Sequence, residues 1–330
     1  MRADPPRRSA KQRKAAAARD ERIEMVSVAG LQLRVSVRPG TGFAPAGSAG
    51  SARGTGGVPP TMAAGAAKAR GTGGVPPTVA AGAAKDRPPL LLCNGIGAPI
   101  EMWTPFRDPL NRPTIAFDAP GVGESSVPLI PPTMGGVARA VLGMLDELGV
   151  TTVDVLGVSW GGALAQELAH RGGDRVRRLV LCATMAGGAP VPGDPRVLAI
   201  LATPLRYWSP SYLDRVAPRL YGPDVADHPE MMAHQRRARF TRAPSGRGYV
   251  WQMLALRRFA SVLWLHRLRQ PTLVLTGESD PIVPVANGRL LARRIPGARL
   301  EVVEGGHLFL LTHATETARR VNDFLDAPDV

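Results

Sequence analysis

Residues Asp154 to Gln166 read DVLGVSWGGALAQ. An apolar run leads into Gly157-Val158-Ser159-Trp160-Gly161, and a helix-forming stretch follows. A serine with glycine two positions away on each side, after a strand and before a helix, has the pattern of a nucleophile elbow. The chemistry needs that spacing. The serine must sit on a sharp strand-to-helix turn so that Oγ projects from the C-terminal edge of a sheet. Side chains at positions 157 and 161 would collide there. Gly162 and Ala163 keep the helix close to the strands.

Working outward, further strand patterns lie at Leu90–Cys93, Thr114–Phe117, Val153–Leu156, Leu179–Cys182, Thr272–Thr276 and Leu300–Val303. Helix-like stretches such as GGVARAVLGMLDELG separate them. Strands alternating with helices predict an α/β fold with a mostly parallel, doubly wound sheet. Ahead of these, Ile23 to Val37 reads as two strands around Ala29-Gly30. In the second, Leu31, Leu33, Val35 and Val37 alternate with polar residues, as in a half-buried strand.

Two intervals break the rhythm. ARGTGGVPPTMAAGAAK (Ala52 to Lys68) is followed at once by a copy (Ala69 to Lys85) in which only Met62 becomes Val79. Rich in Gly, Pro and Ala, this stretch has no apolar face to offset the entropy of ordering. Residues 39–87 are therefore expected to be a flexible insertion in a surface loop, which costs little closure entropy. The second interval separates Cys182 from Pro271 and has no strand pattern. Its stretches VLAILATPLRYWSP and YVWQMLALRRFASVLWLHRL are apolar and helical in character. Residues 185–270 are expected to form a helical cap between two parts of the core, 23–184 and 271–326. Trp208, Trp251 and Trp264, with Leu198, Leu201, Leu205, Leu254 and Leu263, are its candidates for lining an apolar pocket.

The chain's 330 residues carry a formal charge of +14. Residues 1–88 hold 15 Lys/Arg against 5 Asp/Glu, so most of the excess lies ahead of the core. Residues 1–22 are expected to be a basic, disordered tail, and nothing on the core points to nucleic acid. No apolar run of signal-peptide or membrane-spanning length occurs, so a cytoplasmic protein with no transmembrane segment is expected.

A nucleophilic serine needs a base, and the base needs an orienting acid. In this architecture the chain order is Ser, acid, His. PTLVLTGESDPIVP places Asp280 in the loop after one strand, and LEVVEGGHLFLL places His307 in the loop after the next. Glu278 is the rival acid, but Asp280 lies further into its loop. His170, His228, His234, His266 and His313 read as solvated or otherwise satisfied. Acyl transfer also needs two N–H groups aimed at the developing oxyanion. Trp160, the residue after the serine, supplies one. The loop Asn94-Gly95-Ile96-Gly97 supplies the other, with Ile96 N–H as the candidate and Gly95 and Gly97 giving close backbone approach. No Gly-Lys-Ser/Thr and no third glycine at Rossmann spacing supports a phosphate there. Asp118, in FDAPGVGESS, reads as part of a tight turn. Serine chemistry of this kind needs no metal and no organic cofactor.

These residues carry a resemblance. Their order is similar to that of the α/β-hydrolase superfamily. NGIGAPIEMW, FDAPGVGESS, GVSWGGALAQELAH, VPGDPRVL, LHRLRQPTLVL and GGHLFLLT more closely resemble the intracellular depolymerases of medium-chain-length poly(3-hydroxyalkanoate). The likeness runs from about Ile23 to Val37 and from Pro88 to Leu325. It implies Ser159 as nucleophile, Asp280 as acid and His307 as base. It also implies hydrolysis of a granule-stored aliphatic polyester to 3-hydroxy acids, with the granule surface as a partner. The 39–87 insertion and the basic head depart from the family. The superfamily's strand order puts the Val153–Leu156 strand between those of Cys93 and Cys182, so these thiols are expected to stay reduced. Two other readings remain open: a general carboxylesterase on small acyl esters, and a non-catalytic granule-associated or ligand-binding protein of the same fold.

Overall fold

The structure, a computed structural model, describes residues 20–40 and 87–328. The expectations for the basic tail and for the insertion with its duplication lie almost wholly outside the described residues.

β1 (Arg22–Val28) and β2 (Leu31–Arg38) form an antiparallel hairpin. Its two turn residues both have positive φ, 47° at Ala29 and 79° at Gly30, as a two-residue turn matched to strand twist requires. β3 (Leu90–Cys93), β4 (Thr114–Phe117), β5 (Val153–Val158), β6 (Val176–Cys182), β7 (Thr272–Gly277) and β8 (Arg299–Val303) complete a sheet ordered β1-β2-β4-β3-β5-β6-β7-β8. From β4 to β8 every pairing is parallel, while β2 meets β4 antiparallel. Central strands are buried on both faces, so β3 and β4 read as unbroken buried runs, LLLC and TIAF. That is the pattern of a sheet covered by helices on each side.

The helices before the second sequence interval are α1 (Thr104–Arg107), α2 (Met134–Glu147) and α3 (Trp160–Gly172). Thr133 caps α2, its side chain accepting from Gly136 N–H at 3.0 Å. Between β6 and β7 come α4 (Pro195–Leu201), α5 (Leu205–Trp208), α6 (Pro210–Tyr221), α7 (Pro229–Thr241) and α8 (Gly246–Arg257). Their starts are written locally. Pro195, Pro210 and Pro229 occupy first-turn positions, and Asp194, Ser209 and Ser245 accept from backbone N–H groups of the helices they precede. After β7 follow α9 (Val285–Arg294), α10 (Phe309–Thr312) and α11 (Ala314–Leu325).

Two apolar layers result. Leu91, Cys93, Ile115, Val155 and Leu181 pack with α2 and α3 on one face. Leu90, Leu92, Leu156, Val180 and Cys182 pack with Phe106 of α1 and Val321 and Phe324 of α11 on the other. A third cluster joins Leu213, Val216 and Leu220 of α6 to Ile282, Val283 and Leu308 in the loops after β7 and β8. The inserted helices thus rest on the C-terminal edge of the sheet. Among the described residues, no helix is long and apolar enough to cross a membrane.

Asp118, at the end of β4, is fully buried. It does more than form a turn. Its Oδ1 accepts from Ile100 N–H at 2.8 Å, and its Oδ2 pairs with Arg34 of β2 at 3.1 Å. Burial outweighs these contacts and raises the carboxyl from its ordinary 3.8 to about 6. Between those values the unfolded chain gives up this proton before the folded chain does, so rising pH costs stability. The stability of the wild type relative to Asp118→Asn should fall by up to roughly 3 kcal/mol between about pH 3.5 and about pH 7. Urea denaturation of both proteins at the two pH values checks this, and an unchanged difference would refute it.

Cys93 and Cys182 are free and buried. They lie on the two strands flanking β5 and face opposite layers, and burial pushes both thiols well above the usual range. Ellman's reagent should find two thiols in unreduced protein only after denaturation. Rapid reaction of either in the native state would contradict the burial.

Candidate active site

The loops that follow β3, β5, β7 and β8 meet at the C-terminal edge of the parallel strands, where open α/β sheets form their crevice. Each carries one of the residues singled out in the sequence.

Ser159 follows β5 and precedes α3, with φ 56° and ψ −119°. For a residue with a side chain this is strained backbone. Hydrogen bonds from both sides hold it. Ser159 N–H donates to Cys182 C=O at 3.0 Å, and its own C=O accepts from Gly162 N–H at 2.9 Å and from Thr184 Oγ1 at 2.8 Å. The flanking glycines are a steric necessity. A Cβ at Gly157 would stand 2.2 Å from the Gly161 carbonyl oxygen, and one at Gly161 would stand 2.0 Å from that of Cys93.

His307, in the loop after β8, is 5% exposed. Its Nδ1 lies 2.7 Å from Asp280 Oδ2. The other carboxylate oxygen, Oδ1, accepts from Ile282 and Val283 N–H, both at 2.9 Å. Asp280 is thus locked by its own loop with one oxygen turned to the imidazole. Glu278 is exposed. Ser159 and His307 line the same cavity, which encloses about 240 Å³.

Ile96, Trp160 and Gly95 line it as well. A Cβ at Gly95 would come 3.8 Å from that of Ser159, which shows how closely this loop passes. Gly95 C=O accepts from Ala98 N–H at 3.1 Å, and Gly97 has φ 69°. The chain therefore turns tightly through Ile96 and Gly97, and the bond that closes the turn does not use Ile96 N–H. Trp160 is the first residue of α3, so its N–H has no carbonyl one turn earlier within the helix.

Several residues that hold this arrangement carried no signal in the sequence. Gln252 of α8 reaches both arms of the oxyanion candidate. Its Oε1 accepts from Gly97 N–H at 2.8 Å, and its C=O accepts from the Trp160 indole at 2.9 Å. The Tyr207 hydroxyl of α5 donates to Ile96 C=O. On the other side, Tyr221 C=O at the end of α6 accepts from His307 N–H at 2.7 Å. Asp224 accepts from Gly306 N–H and from Thr312 Oγ1, each at 3.0 Å. These partners sit 82 to 155 residues apart in the chain, so no local pattern announces them.

The remaining histidines lie elsewhere. His170 stacks on Trp264 with ring centroids 4.3 Å apart. His228 meets His313 edge-on, and His234 Nε2 bonds Glu101 C=O at 3.0 Å. Neither His228, His234, His266 nor His313 lines the cavity.

The expected pocket lining needs correction. Leu198 and Leu201 do line the cavity, joined by Met253, Leu256, Tyr207 and Tyr221. Trp208, Leu205 and Leu263 are exposed instead, at 53%, 44% and 72%. Trp251 turns its indole to Pro128 C=O, and Trp264 stacks on His170. On α8 the inward face carries Gln252, Met253 and Leu256, and the helical period rotates Trp251 and Leu254 away from it.

Comparison with known proteins gives the same architecture. A family model described as alpha/beta hydrolase fold matches residues 88–314. A poly(3-hydroxyalkanoate) depolymerase of Ectopseudomonas oleovorans is 47% identical over 240 residues, covering 72% of this chain and 84% of that protein. A 3-oxoadipate enol-lactonase 2 of Acinetobacter baylyi is 28% identical over 229 residues, covering 68% of this chain and 83% of the relative. Among solved structures, the enol-lactonase from Burkholderia xenovorans LB400 superposes with a TM-score of 0.69 at 24% identity, covering 92% of this chain and 100% of that one, which speaks for the fold alone. With the family model spanning most of the chain and the strand order matching, the protein belongs to the α/β-hydrolase fold family and is similar in sequence to a poly(3-hydroxyalkanoate) depolymerase.

Proposed function

We propose that this chain hydrolyses the ester bonds of an aliphatic polyester, a medium-chain-length poly(3-hydroxyalkanoate), through an acyl-enzyme on Ser159. What carries this reading is one shared cavity. A strained serine and a histidine clamped to a buried aspartate face it together, and its lining is mostly apolar. The 47% identity to a poly(3-hydroxyalkanoate) depolymerase supports the polyester class of substrate. The setting that goes with it is the cytoplasm, at the surface of a storage granule.

In the mechanism, His307 takes the proton of Ser159 Oγ as the oxygen attacks the ester carbonyl. Asp280 fixes the imidazole by its Nδ1 contact. Ile96 and Trp160 N–H groups receive the negative charge that develops on the carbonyl oxygen. His307 then protonates the leaving alcohol, and a water activated by the same histidine releases the acid. Helices α4 to α8 act as the cap over this centre, and residues 185–270 form the capping unit.

Each methylene buried in the apolar lining contributes about 0.8 kcal/mol. Two more methylenes, as from a C4 to a C6 hydroxyacyl unit, favour the longer monomer by roughly tenfold, and a pentyl side chain has four more than a methyl. Amorphous granules of polymer with pentyl side chains should therefore be hydrolysed faster than granules with methyl side chains. Equal or faster release of 3-hydroxybutyrate would overturn the medium-chain assignment. Ser159→Ala should abolish hydrolysis of both while leaving the circular dichroism spectrum unchanged, and near-normal activity in that variant would remove the serine from the mechanism.

Gln252→Leu frees Gly97 N–H and loosens the loop that presents Ile96. Its kcat on a soluble p-nitrophenyl ester should fall about tenfold or more with KM little changed, since only charge developing in the transition state loses its support. A change confined to KM would instead assign Gln252 to ground-state binding.

A further inference from the structure

The cavity holds positive charge that the mechanism above does not use. Arg206 of α5 and Arg239 of α7 both line it, and they are only 2% and 3% exposed. No Asp or Glu lines this cavity. Among the described residues, neither arginine has a carboxylate partner. A buried guanidinium without a counter-ion is costly unless something else completes it.

Aromatic rings cover the guanidinium groups without satisfying their in-plane donors. Arg206 Cζ lies 4.8 Å from the Tyr207 ring centroid and 5.3 Å from that of Tyr249. Arg239 Cζ lies 4.9 Å from Tyr207 and 5.2 Å from Tyr221. Cation–π contact holds each group in place and leaves its N–H groups pointing outward in the plane. Arg206 Nη1 donates to the Tyr249 hydroxyl at 2.9 Å and to Thr203 C=O at 3.2 Å, while its Nε has no partner. Arg239 is held by less. Its one donated bond goes from Nη2 to Gln235 Oε1 at 3.3 Å, and its Nε and Nη1 have no partner. The Tyr221 hydroxyl, also on the cavity, has none either.

Arg239 Nε and Nη1 and the Tyr221 hydroxyl are thus buried without a partner, on side chains that line an apolar cavity, and a small turn of the guanidinium toward the cavity suits it to an aliphatic chain that ends in a carboxylate. We propose that Arg239, with the Tyr221 hydroxyl beside it and Arg206 adding charge, is a recognition site for the terminal carboxylate of the substrate chain. This rests on the polyester reading and deepens it. A polyester of hydroxy acids has one carboxylate, at its carboxyl end, and that group belongs to the alcohol side of the last ester bond. Ser159 Oγ bonds to the carbonyl carbon of the preceding unit, and the C–O bond to the terminal unit breaks. The departing alkoxide takes the proton that His307 received from Ser159, and water then cleaves the acyl-enzyme. Hydrolysis accordingly runs from the carboxyl end and releases short hydroxy acids.

The test is first a binding measurement, independent of turnover. Titration calorimetry at pH 7 compares octanoate with octan-1-ol, which has the same chain length and no charge. Octanoate should bind about tenfold more tightly or better. In Arg239→Gln that advantage should disappear, and Arg239→Lys should recover part of it. Equal affinity for the two ligands in the wild type would overturn the site, and this comparison stands even if Arg239→Gln does not fold. An equal loss of both ligands in a folded Arg239→Gln would assign the residue to packing and overturn the site as well. A second arm uses the linear dimer of 3-hydroxyoctanoate and its methyl ester. The free acid should have the higher kcat/KM by about tenfold, through KM. Tight octanoate binding with neither dimer cleaved would keep the carboxylate site and sink the polyester reading. Equal cleavage of both dimers would keep the polyester reading and sink the carboxylate site.

Discussion

The main chain at Ser159, with φ 56° and ψ −119°, is the constraint on which the rest of the site depends. The conformation costs a serine about 1–3 kcal/mol. It persists because β5, β6 and α3 close around it. Cys182 on the neighbouring strand accepts the Ser159 N–H, Thr184 bonds its carbonyl, and α3 begins at once. Closure is that tight only because positions 157 and 161 lack side chains. A Cβ at either would overlap a backbone oxygen, and at Gly161 that oxygen belongs to Cys93, the residue leading into the Asn94–Gly97 loop. One steric requirement thus sets the serine's direction and the distance to the loop beside it.

The inserted helices complete what the sheet begins. Through Gln252 and Tyr207 they hold the loop bearing Ile96 and the indole of Trp160. Through Tyr221 and Asp224 they hold the loop bearing His307. These helices are therefore more than a roof. A displacement of α8 acts on the loop after β3, and a displacement of the α6 end acts on the histidine. Tyr207 joins the two roles, since its hydroxyl bonds Ile96 C=O while its ring lies against both buried arginines. Occupation of the cavity wall and order in the Asn94–Gly97 loop are thereby physically connected.

Electrostatics divide the molecule in the same way. At the N-terminal edge of the sheet, buried Asp154 is matched by Arg112 and Arg177 at 3.4 and 2.7 Å, a set in which each charge meets its opposite within the fold. Around β4, Asp118 and Arg34 tie β2 to the segment that starts at Ile100. At the cavity, Arg206 and Arg239 are buried with no Asp or Glu among the lining residues, and there the proposed ligand would supply the missing charge.

The tight turn at Ser159, the strand–helix alternation and the loop positions of Asp280 and His307 were legible because each is written in neighbouring residues. Period, glycine spacing and loop position are local, and the physics that reads them is local too. The buried runs LLLC and TIAF announced central strands for the same reason. What the chain alone did not disclose depends on which helix faces turn inward. Trp208, Trp251 and Trp264 stand out in the inserted segment, yet they lie off the cavity, while Met253 and Leu256 line it. Gln252, Arg206 and Arg239 look like ordinary polar residues of amphipathic helices, and Asp224 like a turn residue. Only packing of these segments on the sheet edge decided which of these side chains are buried, what they hold, and where charge is left without an acid.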